Sequence, residues 1–431
     1  MTDRGAPLDR ALVPSALQDP EALDALAADL GTPLFVYDED DLRRRCREYA
    51  GLFGAGSVAY AGKAFLCVAM VRLVAEESLH LDVATGGELH VALHAGFPPE
   101  RIVFHGNNKS TAELTAALDA GVGRIVADSF DELDRLERLA TERSARPSVL
   151  VRVTPGVEAH THEFIETGTL DSKFGFTTHD DVALEAARRV IESPALRLGG
   201  LHCHIGSMIE RLDAYARAVA IVVDLCGAIE ESTGARVEEL NMGGGLASRY
   251  LATDPEVSLA EYESTLRTTL KECVADAGIG EVPRLMVEPG RSIAAPAAIT
   301  LYRVGTVKRI PHGRTYVAVD GGMSDNPRPV LYGAGYEAYL PDRIEEPRPL
   351  ACSIAGKHCE QGDLVVADAR LPDGVRVGDL LAVPVTGAYG YSMASNYNKV
   401  PRPAVVFVRD GQAQVVVRRE TPDDLTRLDE H

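Results

Sequence analysis

Short apolar runs recur along the first two thirds of the chain, each followed by a glycine or a chemically active residue and then by a helical pattern. They fall at 58–60, 79–83, 102–104, 124–127, 149–153, 200–204, 239–242 and 285–287. Runs this short, alternating with amphipathic stretches, predict buried parallel strands joined by helices. Eight of them over about 240 residues have the length and rhythm of a (β/α)8 barrel. An open doubly wound sheet would give the same alternation and is the competing arrangement. Upstream, a helix is expected over 20–30 with Gly31 ending it, then a strand over 34–37 and a charged helix over 40–49.

From residue 298 the texture changes. Strand-like segments at 300–310, 315–319, 350–354, 364–367, 380–385, 405–408 and 413–417 are separated by Gly, Pro and Asp turns with little helix between them. That pattern predicts an all-β domain, which the early strand at 34–37 is expected to join because it precedes the first barrel strand. The expected division is an N-terminal segment over 1–45, a barrel over 46–297 and a β domain over 298–431.

A barrel places its reactive groups at the C-terminal ends of the strands. Those ends carry Lys63, Asp82, His105, Asp128, Arg152, His204, Gly243 to Gly245, and Glu288. Lys63 closes the run SVAYAGKA, where an apolar strand meets a tight turn. Burial there would penalise its charged form and make it a nucleophile toward an aldehyde, as in enzymes that hold pyridoxal phosphate; a plain surface lysine is the alternative. Three glycines after the seventh strand suit an anion, because their backbone N–H groups can point inward. Glu288 and Arg291, in VEPGRS, either form a structural ion pair or serve a site. A carboxylate beside a pyridine nitrogen would keep that nitrogen protonated.

Charge and cysteine content narrow the classes. The 431 residues carry a net charge of −20 and no basic block, which disfavours nucleic acid and anionic membrane as partners. Seven cysteines without a CxxC pair suggest free thiols in a reducing compartment. The start of the chain shows no apolar signal segment, and no run of about 18 apolar residues occurs, so a cytoplasmic protein is expected. His202 and His204, and likewise His160 and His162, have a spacing that could serve zinc. No HExxH-type helix adds a third ligand, and no metal is expected. In GKHCEQGD, Cys359 is either a small core residue or an acid. The prolines flanking Arg328 are expected to hold the backbone extended and leave the guanidinium free for a carboxylate, in a segment of exposed character.

The motifs AYAGKA, HGNNKS, HCHIGS, GGGL, VEPGRS, DGGMSDNPRP, KHCEQGD and TGAYGYSMASNYN together resemble the diaminopimelate decarboxylases. These are barrel-type pyridoxal-phosphate decarboxylases with an alanine-racemase-like fold. The likeness runs in family order from about residue 30 to the end. It implies decarboxylation of meso-2,6-diaminopimelate to L-lysine, the last step of lysine biosynthesis. It also implies a homodimer with active sites shared across the interface. By the same resemblance Lys63 would bind the cofactor as a Schiff base, His204 would stack on its ring, and Glu288 would pair with its pyridine nitrogen. Ser207, Gly244, Gly245 and Tyr389 would hold its phosphate, with Asp82 and Arg152 in support. Cys359 would reprotonate the carbanion, while Arg291, Arg328, Tyr332, Glu360 and Tyr389 would grip the substrate. The chain departs from the family pattern at Met208, Ala247 and Gln361.

The substrate follows physically as well. Diaminopimelate is zwitterionic at both ends, so its far end needs cations for a carboxylate, and Arg291 and Arg328 supply what ornithine or lysine would leave buried and unpaired. Three other readings remain at this stage: a decarboxylase of ornithine, lysine or arginine, an alanine-racemase-like enzyme, and a non-catalytic pyridoxal-phosphate-binding homologue. Glu288 argues against the racemase, which sets an arginine at the ring nitrogen.

Overall fold

The computed structural model describes residues 5–54, 56–157 and 172–430. His160 and His162 lie outside the described residues. The chain divides into two compact units, one of residues 46–247 and 257–290, the other of residues 1–45, 248–256 and 291–431.

Strand β1 (Leu34–Asp38) comes first in the chain and belongs to the second unit. The first unit is built on β2 (Ala59–Ala61), β3 (His80–Val83), β4 (Ile102–Phe104), β5 (Arg124–Ala127), β6 (Ser148–Thr154), β8 (Arg197–Cys203), β9 (Glu239–Asn241) and β10 (Arg284–Met286), with the short β7 (Phe176–Thr177) beside β6. All neighbours pair in parallel in the order β10-β9-β8-β6-β5-β4-β3-β2. The ring closes through Val58 and Val287, where Ala59 N–H donates to Val287 O at 2.9 Å and Val287 N–H to Ser57 O at 3.1 Å. A doubly wound sheet is thereby excluded, because such a sheet keeps two free edges.

Ala59, Val103, Val126, Leu150 and Met286, from five strands, form one buried layer inside the ring. This is the packed interior expected of a barrel, not a pore. The surrounding helices turn apolar stripes inward: Val182–Glu192 buries Ala183, Leu184, Ala186, Ala187 and Val190, a spacing that follows the 3.6-residue turn. At the N-terminal ends of the strands, Glu239 takes Arg124 at 2.9 Å and also pairs with Arg284. Those ends carry ion pairs of a structural kind.

The second unit is a mixed sheet. Its other strands are β11 (Ala298–Arg309), β12 (Thr315–Val319), β13 (Leu350–Ala355), β14 (Leu364–Leu371), β15 (Leu380–Pro384), β16 (Ala404–Arg409) and β17 (Gln412–Val417), in the order β14-β13-β12-β11-β1-β16-β17 with β15 also on β11. As expected from its position, β1 joins this sheet, antiparallel to β11 and parallel to β16. The last of this unit's three stretches of chain starts at Arg291. Gly387 N–H donates to Ala295 O, and a Cβ at Gly387 would lie 1.9 Å from Ala294 O, so the short helix Arg291–Ala294 is packed against the sheet's own loop. Residues 248–256 belong here too, tied by Arg249 to Asp9 at 2.6 Å.

Candidate active site

The first unit gathers its chemistry where its strands end. Glu288 follows β10 and is buried, and three side chains converge on its carboxylate. His105, just after β4, reaches Oε1 from Nε2 at 2.8 Å. Asn241 Nδ2, at the end of β9, donates to the same oxygen at 2.7 Å, and His202 Nε2, within β8, meets Oε2 at 3.0 Å. Burial opposes charge on Glu288, yet the His105 charge and the histidine hydrogen bonds outweigh it and hold the carboxyl well below its ordinary value. Glu288 is a fixed anion.

The two histidines divide the roles. Burial pulls His202 down to about 4, so it is a neutral imidazole whose Nε2 donates to Glu288, and its Nδ1 has no partner among the described residues. Burial also works against charge on His105, but Asp82 and Glu288 overcome it and raise its value. Asp82, 3.8 Å from His105 Nε2, is itself pushed up to about 6 by burial. Among the described residues, His105, His202 and Glu288 are also the one group whose spacing would admit a metal ion. Their separations of 2.8 and 3.0 Å are those of hydrogen bonds, and the unpartnered Nδ1 leaves His202 without the outer contact that orients a ligating histidine.

Lys63 sits in the turn Gly62–Ala64 after β2, and its charge is felt by Asp82, Glu88 and His204. It is exposed, which corrects the expectation of a buried amine. The turn aims the side chain out of the strand's apolar environment. His204 is half-buried, and its Nδ1 accepts Gly244 N–H at 3.3 Å. Desolvation, with Lys63 and Arg152 next, holds its imidazole well below the ordinary value.

The glycine run shares out its amides unevenly. Gly243 N–H donates to Asn241 Oδ1 at 2.9 Å and Gly244 N–H to His204, while Gly245 N–H has no acceptor among the described residues. At Gly245 φ is +105°, and a Cβ there would lie 2.3 Å from Gly206 O, one residue before Ser207. No larger residue could leave that amide open at this close backbone approach. Arg152, buried within β6, lies 4.4 Å from the Phe174 ring centre with its Nε 3.9 Å from Asp128 Oδ1. Lys109 is fully buried against Glu132 at 2.6 Å and also donates to Gly106 O and Val126 O, tying together the exits of β4 and β5.

The second unit holds a cluster of its own. Arg291 Nη1 donates to Tyr250 Oη at 2.8 Å, and its guanidinium lies 4.8 Å from the Tyr389 ring centre. Arg328 donates to Tyr336 Oη and lies 4.6 Å from the ring of Tyr250. Arg328 opens the helix Arg328–Tyr332, and Asp325, Asn326 and Arg328 are buried. The prolines therefore start a helical turn and do not extend the chain, since the fixed φ of proline suits a first turn. Tyr332 is half-buried, and its side chain has no hydrogen bond among the described residues.

Cys359 and Glu360 are exposed and bond to neither arginine, so Cys359 is not the core residue its type suggests. Their turn is rigid nonetheless: Asp363 takes His358 N–H at 2.8 Å and Met323 N–H at 2.6 Å, and Cys359 N–H donates to Asn398 Oδ1 at 2.9 Å. The sequence placed His105 at a strand end without a role and weighed His202 only as a metal ligand, and it did not single out Asn241, Tyr250 or Tyr336. For the first three, position at or next to a strand end was the available signal. The two tyrosines had none.

Pyridoxal phosphate suits this donor set: an exposed primary amine for its aldehyde, a fixed carboxylate for its pyridine nitrogen and an uncommitted backbone amide for its phosphate. Among the described residues no helix is long and apolar enough to cross a membrane. The family of pyridoxal-dependent decarboxylases, represented by its pyridoxal binding domain, matches residues 39–295. A diaminopimelate decarboxylase of Mycobacterium tuberculosis is 51% identical over 94% of this chain and 93% of its own length. One of Bacillus subtilis is 48% identical over 94% and 92%. The crystal structure of diaminopimelate decarboxylase from Helicobacter pylori complexed with L-lysine superposes with a TM-score of 0.86 at 30% identity, covering 94% of this chain and 98% of the other. The chain belongs to the diaminopimelate decarboxylase family of pyridoxal-dependent enzymes.

Proposed function

We propose that the protein decarboxylates meso-2,6-diaminopimelate to L-lysine and CO2 with pyridoxal phosphate. The observation that carries this reading is the Glu288 carboxylate, held anionic by His105, His202 and Asn241. Pyridoxal phosphate, when bound, supplies an electron sink for the bond that breaks at the substrate's α-carbon. Glu288 keeps a proton on the pyridine nitrogen, which makes that sink deep enough for decarboxylation. Lys63 would offer the amine for the aldehyde, His204 would lie against the cofactor's ring, and the Gly245 amide, Ser207 and Tyr389 would hold the phosphate. Gly244 acts through His204, whose Nδ1 it holds, while Asp82 and Arg152 support the rim.

Arg291 and Arg328, with Tyr332, bind the carboxylate of the non-reacting end, and Glu360 takes its ammonium. As CO2 leaves, the electron pair of the broken C–C bond stays on the α-carbon, and Cys359 supplies the proton that replaces the carboxylate. Purified protein loaded with pyridoxal phosphate is expected to release CO2 and L-lysine in equal amounts from meso-diaminopimelate. Turnover of ornithine without turnover of diaminopimelate would overturn this reading.

Cys359 and Glu360 come from a second copy of the chain. Both are exposed, neither bonds to the arginine cluster of its own unit, and the helix carrying Arg328 leaves Val330 and Leu331 40% and 50% exposed. Mixing inactive Lys63→Ala and Cys359→Ala proteins should then restore up to about a quarter of native activity, the share expected of randomly formed two-fold dimers with one intact site. No recovery after mixing would rule out shared sites. Seven free thiols fit a reducing compartment, and we place the enzyme in the cytoplasm.

A further inference from the structure

Residues 248–256 leave the barrel sequence and belong to the β unit, and they carry Tyr250 to a particular place. Its ring and hydroxyl stand between two buried guanidiniums. Tyr250 Oη accepts from Arg291 at 2.8 Å, and the Arg328 guanidinium lies 4.6 Å from its ring centre. Tyr389, on the far side of Arg291 at 4.8 Å, and Tyr336, hydrogen-bonded to Arg328 and 5.5 Å from it, extend the series. The order is Tyr389, Arg291, Tyr250, Arg328, Tyr336, with Tyr250 the member common to both arginines.

Two like charges held close repel each other, and each is costly to bury. Among the described residues the groups that act on Arg328 are tyrosines, and no carboxylate pairs with it. Tyr389 and Tyr336 each serve one of the cations, while Tyr250 serves both, its oxygen accepting from Arg291 and its ring facing Arg328. An aromatic face stabilises a guanidinium electrostatically, and a phenolic oxygen can accept from one while the ring serves the other. Burial alone would raise the Tyr250 phenol, yet Arg291 and Arg328 outweigh it and lower its value. Both cations thus act on this one group.

We propose that Tyr250 is a specificity-positioning residue: by spacing Arg291 and Arg328 it sets their fit to the carboxylate of the substrate's non-reacting end. This rests on the arginine roles proposed above. Tyr250 itself touches no reacting atom. Its loss should weaken recognition of a carboxylate at that end and leave the chemical step alone.

The test uses the cofactor-loaded enzyme and two variants. Tyr250→Phe keeps the ring and removes the oxygen, and Tyr250→Leu removes both. For Tyr250→Phe, KM for meso-diaminopimelate should rise about tenfold with kcat within about twofold, the scale of one hydrogen bond to a charged group. For Tyr250→Leu the rise should be larger. Competitive inhibition separates positioning from general damage. L-Lysine retains the carboxylate of the non-reacting end, so its inhibition constant should rise by the same factor as KM. That of 1,5-diaminopentane, which has no carboxylate, should stay unchanged.

The idea fails if both inhibition constants move together, if neither moves, or if kcat falls at unchanged KM. Should Tyr250→Leu not fold, Tyr250→Phe decides alone. If the native enzyme proves not to decarboxylate diaminopimelate, the functional reading fails separately, because the two inhibitors can still be compared by direct binding.

Discussion

Lys63→Met is expected to remove turnover of meso-diaminopimelate by at least about 10³-fold, the scale seen when the nucleophile of a catalytic unit is deleted. Methionine keeps a similar length and removes the amine, so the fold should stand. The physical reason is access. A side chain that captures an aldehyde must reach it, and Lys63 is exposed in the turn after β2. Asp82 and Glu88, both raised by burial, sense its charge and make this part of the rim electrostatically responsive. Borohydride reduction of the native holoenzyme followed by peptide mapping should leave the cofactor's mass on the residue-63 peptide, and Lys63→Met protein should carry none. A cofactor adduct on Lys109, the other lysine near the strand ends, would refute the assignment.

The second large effect is expected at Glu288. Glu288→Gln retains shape and removes the anion, and should lower kcat about 10²-fold or more, as loss of a preorganised charge does. It should also lower stability by about 3–5 kcal/mol, because removing one partner of a buried pair strands the other. Here the stranded partner is the charged His105 imidazole.

The two groups set the pH window. Glu288 has a folded value below its ordinary 4.5, so its contribution is complete above that pH and is lost as pH falls through the folded value. His105 is raised above its ordinary 6.5, so its contribution is complete below that pH and is lost as pH rises through the folded value. The difference in urea midpoint between native and Glu288→Gln proteins should therefore be widest between about pH 4.5 and 6.5 and should narrow above it. Asp82, His202, Lys63 and Arg152 face the same cluster, and the titration of Asp82 near 6 falls inside that window. A difference independent of pH would mean that Glu288 acts through shape alone.

Much of this was legible beforehand for a local reason. A strand bounded by glycine and followed by a helical stripe announces itself within a dozen residues, and the residue after it sits at the rim whatever the rest of the chain does. Hence β4 and β5 fall where the apolar runs lie, and Lys63, His204 and Glu288 could be named as rim residues. The reading failed where environment depends on distant chain. Burial was expected for Lys63 and found for Asp325, the reverse of what their neighbours in sequence suggest. The prolines around Arg328 looked extended, yet they open a helix.

Hydrophobic periodicity, before any coordinates, favoured a barrel over an open sheet and placed a β domain after it, and the strand ends marked out candidate residues along the rim. Folding alone settled which side chains act together. Glu288 meets partners 47, 86 and 183 residues away because the strands close into a ring, and Tyr250 reaches Arg291 across 41 residues because its loop packs with the β sheet. Periodicity is a property of a few turns of chain. Charge, exposure and the pairing of polar groups depend on what the completed fold brings within hydrogen-bond reach.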